Sequence, residues 1–369
     1  MPRNMERRLA LTETESAVRR KLLAWYKKNK RDLPWRKTTD PYRIWVSEIM
    51  LQQTQVETVI PYYLHFIERF PDIHSLSESR LDDVMKAWEN LGYYARVRNL
   101  HAAAKIIVEK YAGAFPDTLE QALSLPGIGS YTAGAVLSIA FRKRLPACDG
   151  NARRVISRLL AIRVPVQETA ARNEIDSYTD LLVPDKNPGD FNQALMDLGA
   201  SICIPGLPRC QECPLKESCR AKAVGLECSL PVLTAKKPLP LKHAIGGMIL
   251  DRRKRFLIVQ RSGKGLLAGL WRLPGGFRSD QESLESCVGR LVRIETGRSI
   301  VSSESITRVS HTFTHFRMKL HGYLCAFDST KIAPPPEINY RWIKLLEMDH
   351  YAFGKADRAL IQKMIKVLF

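Results

Sequence analysis

No run of about twenty apolar residues occurs in this chain of 369 residues, so no segment has the length and hydropathy of a membrane-spanning helix. The opening MPRNMERRLALTETES lacks an apolar core of signal-peptide length, and a cytoplasmic protein is expected. Acidic residues are scarce: 38 Asp and Glu stand against 57 Lys and Arg, a formal charge of +19. The deficit is uneven. Residues 1–230 hold 33 basic and 27 acidic residues, whereas residues 231–369 hold 24 and 11. Both parts are basic, which fits a polyanionic partner, although a merely basic soluble protein would read the same way. The apolar-periodic stretches between residues 58 and 202 show no strand-like alternation of any length. Histidine is missing from the cysteine-rich stretch 203–219, so nothing there points to a mixed Cys/His zinc site. Lysine is missing between residues 111 and 142.

What is present centres on Leu125–Val155, LPGIGSYTAGAVLSIAFRKRLPACDGNARRV. Leu125-Pro126-Gly127-Ile128-Gly129 reads as a tight turn between two helices. Leu119, Ala122 and Leu123 precede it, and Ala133, Val136, Leu137 and Ala140 follow, all at helical spacing. Gly127 and Gly129 can take positive φ and admit another backbone closely. Such a turn leaves N–H groups at a helix start, a ready phosphate site. Asp149-Gly150-Asn151 then opens a new helix and sets a carboxylate beside that turn. An ordinary helical corner with an N-cap Asp would look the same.

Upstream, residues 14–30 read as a helix with Val18, Leu22, Trp25 and Tyr26 on one side, broken by Arg31–Arg36. Asp40-Pro41 is a helix start, N-cap then Pro in the first turn. The helix expected from Tyr42 to Val56 carries Trp45, Ile49 and Val56 as apolar anchors and Glu48 in its middle. By itself Glu48 also suits a solvated surface. Further helices are expected near 58–70, 80–90, 96–111, 117–124, 130–141, 150–161, 168–183 and 190–202. Asn90–Arg96 sets two tyrosines beside Gly and Arg, a combination that can stack on bases or simply close a core. Cys203, Cys210, Cys213 and Cys219 are spaced C-x6-C-x2-C-x5-C. Four thiolates in so short a loop suit an iron–sulfur cluster or zinc, whereas Cys148, Cys228, Cys287 and Cys325 are scattered and expected to be buried or inert. A Pro/Lys-rich linker over 226–242 follows. Beyond it, strands are expected at His243–Leu250, Arg255–Arg261, Ile306–Phe313 and Arg317–Phe327, with helices near 281–297 and 354–368.

These motifs, in this order, resemble the helix-hairpin-helix DNA glycosylases of the endonuclease III class. Within that class they resemble the adenine-removing branch that acts opposite 8-oxoguanine. The stretches that carry the resemblance are LPWR (33–36), WVSEIMLQQTQV (45–56), LGYYAR (91–96), LPGIGSYTAGA (125–135), DGNARRV (149–155), FNQALMDLG (191–199) and the four cysteines. The C-terminal part resembles that branch's Nudix-like domain. The implied architecture is multidomain. It comprises an all-α helix-hairpin-helix domain over 1–225 with its iron–sulfur loop at 203–219, the linker 226–242, and an α+β lesion-recognition domain over 243–369. The implied partner is double-stranded DNA with A:8-oxoG or A:G mispairs, met by a monomer at the nucleoid of a bacterial-type cytoplasm.

The resemblance implies a [4Fe–4S] cluster on the four cysteines and a flipped base held between two helical lobes. It also gives the chemistry its residues. Adenine is a poor leaving group and its departure leaves a cationic sugar, so an acid must protonate the base and a carboxylate must face the cation. Glu48 matches the acid and Asp149 the carboxylate. Glu48 then needs a raised pKa, which enclosure by Trp35, Leu51 and Val56 would supply. Tyr131 and Asn151 match residues that orient these groups. Bifunctional relatives carry a nucleophilic lysine at position 131, and tyrosine there implies a monofunctional enzyme. The implied adenine pocket holds Arg31, Trp35, Arg36, Leu51, Val56 and Gln193, where relatives often carry Glu. Gln53, Thr54 and Tyr93 match residues that contact or wedge beside 8-oxoguanine, and Gly127 and Gly129 match the DNA-binding hairpin.

Gly276-x5-Glu282 is spaced like the start of a Nudix box, but aligning Arg290 puts Leu291 and Ile294 where glutamates belong and leaves Glu295 alone. Too few hard oxygen ligands remain for Mg²⁺-dependent hydrolysis. Phe313-Thr314-His315 instead matches the family's Phe-Ser-His loop that probes 8-oxoguanine, with Thr in place of Ser.

Overall fold

The computed structural model describes residues 11–234, 238–327 and 334–368. It forms two compact units. The first is the described part of Met1–Glu78 and Asn99–Lys236, and the second is the described part of Ser79–Arg98 and Lys237–Phe369. Helices precede the linker in chain order: α1 (Glu13–Asn29), α2 (Pro41–Leu51), α3 (Val56–Arg69), α4 (Ile73–Glu78), α5 (Leu81–Ala87), α6 (Ala95–Tyr111), α7 (Leu119–Leu123), α8 (Ser130–Ala140), α9 (Gly150–Leu160), α10 (Thr169–Leu182), α11 (Pro188–Ser201) and α12 (Arg220–Ala223).

In the first unit local chemistry sets the helix starts. Thr12 and Glu15 form a reciprocal capping box on α1. Asp40 caps α2 through the Tyr42 N–H with Pro41 in the first turn. Asp149 caps α9. One core gathers Val18 and Leu22 of α1, Ile156 of α9, Ile175 of α10, and Phe191 and Leu198 of α11. Each such side chain contributes about 1.5–3 kcal/mol of burial. α2 is buried from Ile44 to Met50 and packs on α8. Gly199 lets α11 meet the start of α9: a Cβ there would lie 2.8 Å from the Asn151 carbonyl oxygen.

Three expectations need correction. The helix expected to reach Val56 stops at Leu51, because the four polar residues Gln52–Gln55 bring no apolar side chain to bury. The Thr54 N–H donates to the Leu51 carbonyl, and Gln53 takes a left-handed φ of 59°. The short helix α4 was not foreseen; Asp72 and Ser75 cap its start reciprocally. The linker expected over 226–242 is packed in its first part. Leu230 is buried, its carbonyl accepts from Arg158 Nε at 2.8 Å, and Val232 pairs with the Val166 N–H. Residues 235–237 of that linker, like 1–10 of the expected helical domain, lie outside the described residues.

The second unit holds strands β1 (Leu241–Ile249), β2 (Phe256–Gln260), β3 (Trp271–Arg272), β4 (Gly275–Phe277), β5 (Ser302–Thr312), β6 (Arg317–Ala326) and β7 (Tyr340–Ile343), with helices α13 (Leu284–Thr296) and α14 (Lys355–Leu368). One sheet has the order β4-β1-β6-β5, with β1 and β6 parallel; the other has the order β3-β2-β7. α13 packs Val288 and Val292 on Ile245, Tyr323 and Cys325, while Leu360 and Met364 of α14 pack with Ala244, Met248 and Leu320 from the opposite side. Strands β3, β4 and β7 are too short to show alternation in sequence.

Residues 79–98, which chain order assigns to the helical domain, belong to this second unit. The buried Glu89 carboxylate accepts from the Phe353 N–H at 3.0 Å and from Arg358 Nε and Nη2 at 3.0 and 2.9 Å. Gln260 Nε2 donates to Asp82, and Arg98 Nη1 donates to the Ala268 carbonyl.

Candidate active site

A cavity of about 1160 Å³ opens in the first unit between α2, the 52–57 turn, the start of α8, the start of α9 and α11. Glu48 enters it from the middle of α2 and is only 5% exposed. The Tyr131 hydroxyl, one residue into α8, donates to Glu48 Oε2 at 2.5 Å. Burial pushes the Glu48 carboxyl up to about 7; the Tyr131 hydrogen bond pulls it back, Asp149 pushes it further up and Arg36 pulls it down. Burial also holds the Tyr131 phenol well above its ordinary range. At neutral pH the pair is a protonatable acid beside a hydroxyl.

Asp149 lines the same cavity and is fixed at the head of α9. Its Oδ1 accepts from the Ala152 N–H at 2.7 Å and its Oδ2 from Asn151 Nδ2 at 2.9 Å. Burial raises its pKa against those two bonds, which hold the anion. Asn151 is itself oriented, since Arg154 Nη2 donates to its side-chain Oδ1 at 2.8 Å while Arg154 Nε donates to the Cys203 backbone carbonyl. The hairpin ahead of α8 uses one of its two glycines for conformation. Gly127 has φ +78°, and a Cβ there would stand 2.7 Å from Asn99 Cβ. Gly129, expected to share that freedom, has φ −97° and serves as the N-cap of α8. The first-turn N–H groups of α8 have no partner within the helix.

Trp35, Leu51, Val56 and Gln193 line the cavity, as do Gln53 and Thr54. Trp35 is held edge-on against Tyr63 at 5.3 Å. Arg31 and Arg36 also line it, but their guanidiniums are committed elsewhere. Arg31 Nε and Arg36 Nη1 each donate to the buried Asp197 at 2.6 Å, and Arg36 Nη2 donates at 2.9 Å. They form the wall rather than free hydrogen-bonding groups. Asp197 had no role assigned from sequence; the signal was a carboxylate inside the otherwise apolar ALMDLG. Asp197→Asn should cost about 3–5 kcal/mol, because it leaves two guanidiniums facing a neutral amide. A lowered denaturation midpoint, by calorimetry or urea titration, checks this. Gln52, also unassigned, donates to Thr132 Oγ1 at 3.3 Å and ties α2 to α8.

Tyr93, matched from sequence to the residues beside 8-oxoguanine, lies in the second unit. Its hydroxyl hydrogen-bonds Thr314 Oγ1 at 3.1 Å, and Arg96 stacks on its ring. Thr314 and His315 are exposed at the β5–β6 turn. Phe313 anchors that turn through a stacked contact with Phe316 at 4.8 Å and its N–H to the Phe316 carbonyl at 2.8 Å. The carboxylates of the broken Nudix box are spent on cations: Glu282 is held by Arg290 at 2.7 Å, and Glu295 by Arg272 and the Gly275 N–H.

Cys203, Cys210, Cys213 and Cys219 are unpaired thiols, and three of them pack against the apolar core. Burial first, then the charges of the other three, raises the Cys213 pKa. Among the described residues no three His, Cys, Asp or Glu side chains are placed to hold a single metal ion. Of the remaining cysteines Cys287 and Cys325 are buried, Cys148 is half-buried and Cys228 is exposed in a turn.

The chain is 34% identical over 349 residues to an adenine DNA glycosylase of Buchnera aphidicola, covering 94% of this chain and 97% of that protein. The chain belongs to the adenine DNA glycosylase family. The human adenine DNA glycosylase is 33% identical over 94% of this chain and 74% of its own length. Residues 46–177 match the HhH-GPD superfamily of base excision DNA repair proteins, and residues 246–363 match the NUDIX domain. A thermostable thymine-DNA glycosylase structure aligns with 57% of this chain and 98% of its own at a TM-score of 0.53 and 28% identity. The enzyme is thus a base-excision repair glycosylase with a helix-hairpin-helix domain and a C-terminal Nudix domain, as the motifs implied.

Proposed function

We propose that this glycosylase hydrolyses the N-glycosidic bond of adenine mispaired with 8-oxoguanine or guanine in duplex DNA, by flipping the base, and leaves an abasic site. The observation that carries the reading is Glu48: a buried carboxyl whose pKa stands at about 7, bonded to Tyr131 and facing a cavity large enough to admit a flipped nucleotide. Glu48 delivers its proton to the adenine ring as the C–N bond lengthens. Asp149, fixed by Ala152 and Asn151, faces the sugar as it becomes cationic; water then attacks C1′, and its proton passes to the Glu48 carboxylate left after protonation of the base. Among the described residues no lysine lines the cavity, and tyrosine stands at position 131, so no amine is at hand for a Schiff base. Trp35, Leu51 and Val56 bound the adenine slot, and the Gln193 carbonyl accepts from its amino group, in place of the Glu common in relatives.

Cys203, Cys210, Cys213 and Cys219 would hold a [4Fe–4S] cluster. The fit rests on the chemistry of the donors: four free thiols in the loop 203–219, none engaged in a disulfide, with Arg158 Nη1 donating to Cys203 Sγ at 3.3 Å. A cluster held there would cross-link the loop 203–219, which Arg154 and Arg158 already tie to α9. The protein works as a monomer on chromosomal DNA in the cytoplasm.

Incubation with A:8-oxoG, A:G and thymine-glycol duplexes, with and without alkali, tests this. Adenine release from the first two, with strand breaks only after alkali, is expected; breaks without alkali would refute a monofunctional enzyme. Lesion reading is assigned to Phe313, Thr314 and His315 with Tyr93 behind Thr314. 8-Oxoguanine offers an N7–H donor and an O8 acceptor that guanine lacks, so Thr314→Ala/His315→Ala should lose about 1–3 kcal/mol per contact on A:8-oxoG and spare A:G. Single-turnover rates on both substrates give the ratio; equal losses would mean the turn does not read the lesion.

A further inference from the structure

We propose that the end of the four-stranded sheet that α13 leaves uncovered binds the phosphate backbone of duplex DNA, through Arg278, Arg308, Arg317 and Lys319. Side chains alternate across a strand, so residues that share register with Ile245, Tyr323 and Cys325 share their face. Those three lie under α13. Beyond its cover, the same face continues with His243 on β1, and Arg317, Lys319 and His321 on β6. His243 is paired with Lys319, and His321 with Arg308 of β5. Arg278 follows β4 and donates its N–H to the His243 carbonyl at 2.9 Å, which brings it onto the same row.

The row is one-sided in charge. Among the described residues none of the four cations is in an ion pair, and the strand positions that share the face bring no carboxylate. Arg308 and Arg317 are exposed, while Arg278 and Lys319 are half-buried. His243 Nδ1 and His321 Nε2 are 3.1 Å apart, so one donates to the other, and burial keeps both below the ordinary histidine range. The fixed charge is therefore that of the arginines and the lysine. The register sets no cation directly opposite another, but it gathers four of them on one face with no carboxylate at its strand positions, and such a face suits a polyanion. Arg317, Lys319 and His321 recur every second residue, about 7 Å apart, a row able to follow successive phosphates of one strand. Arg317 is the first residue after the Phe313–Phe316 turn, so the row runs on from the lesion-reading turn along the strand that bears it. The second half of the chain also carries most of the excess charge, 24 basic against 11 acidic residues over 231–369.

The proposal rests on the DNA-repair reading for the identity of the polyanion, and the experiment separates the two. Full-chain protein is titrated with fluorescent duplexes bearing a non-cleavable adenine analogue opposite 8-oxoguanine or guanine, from 50 to 300 mM KCl. Each phosphate contact contributes about 0.9 to the slope of log affinity against log salt. Arg308→Gln/Arg317→Gln/Lys319→Gln should reduce that slope by about 2–3 and weaken binding tenfold or more near 0.1 M salt. Both duplexes should weaken by the same factor, unlike the Thr314/His315 variant, and excision at saturating protein should be unchanged. Arg308→Lys/Arg317→Lys should keep the slope, which guards against a folding artefact. An unchanged slope in the triple variant overturns the proposal. So does unchanged DNA binding with loss of thermal stabilisation by dGTP, which would assign the face to a free nucleotide. If the unsubstituted protein bound no duplex, the DNA-repair reading itself would have failed first.

Discussion

Glu48→Gln is expected to abolish adenine release while leaving duplex binding intact. Gln keeps the shape of the side chain and can accept the Tyr131 hydroxyl, but it cannot give up a proton at the needed acidity. General acid catalysis contributes about 10²–10⁴ in rate, and single-turnover excision should fall by at least that much. Near-normal excision would end the assignment of the acid. The same carboxyl sets a pH dependence. Its pKa of about 7 means that the protonated, competent form is lost as pH rises through neutrality, so the rate should fall on the alkaline side. Tyr131→Phe removes a bond that lowers this pKa, and the alkaline limb should move upward. Stability follows the same sign. The folded carboxyl binds its proton more tightly than the unfolded one, whose ordinary value is 4.5, so the fold loses stability as pH rises between 4.5 and about 7. The linkage amounts to about 3 kcal/mol at the upper end. Glu48→Gln should therefore unfold at a higher temperature than the unsubstituted protein at pH 8, with a smaller difference at pH 5. Calorimetry at the two pH values checks it.

The largest structural effect is expected from the thiols. The purified protein should be brown and contain about four irons per chain. Cys213→Ser should lower soluble yield sharply and weaken DNA binding. Between Cys203 and Cys219 only Pro208 and Leu215 are buried, and α12 after them is a single turn. Without a ligand to tie them, the four thiols leave that loop little to order it, and metal-dependent folds of this kind are commonly lost with the metal. Arg154 and Arg158 reach from α9 to the Cys203 and Ile204 carbonyls, so loosening the loop should also loosen the segment that holds Asn151 and Asp149. Metal analysis with one zinc and no iron would reject the cluster.

Most of the site was legible because its groups sit at positions with strong local signals. Asp149 is an N-cap, Asp40-Pro41 opens α2, and the glycines of 127–129 mark a turn. The family resemblance then gave Glu48, Tyr131 and Asn151 their roles. What was not legible depends on contacts between residues distant in sequence. Asp197 holds Arg31 and Arg36 across more than 160 residues. The four polar residues after Leu51 could equally be the exposed side of a longer helix, and the left-handed Gln53 that ends α2 leaves no mark in sequence. Tyr93 sits in LGYYAR amid helical motifs, and nothing local says that its hydroxyl meets Thr314. The short strands β3, β4 and β7 become strands only through their partners.

The allegiance of residues 79–98 bears on how this enzyme can be divided. A polypeptide ending before β1 would keep that segment but lose Phe353, Arg358, Gln260 and Ala268, the groups that occupy Glu89, Asp82 and Arg98. A deeply enclosed carboxylate would then be left with Lys86 alone. The complementary polypeptide would present an α14 head whose Arg358 had lost its principal acceptor. Neither half would be self-sufficient, and each would carry a surface matched to the other. Supplied as two separate polypeptides, they are suited to non-covalent reassembly rather than to independent existence. A loss of activity after deleting the C-terminal half therefore mixes the removal of lesion contacts with the unmooring of a piece of the N-terminal half.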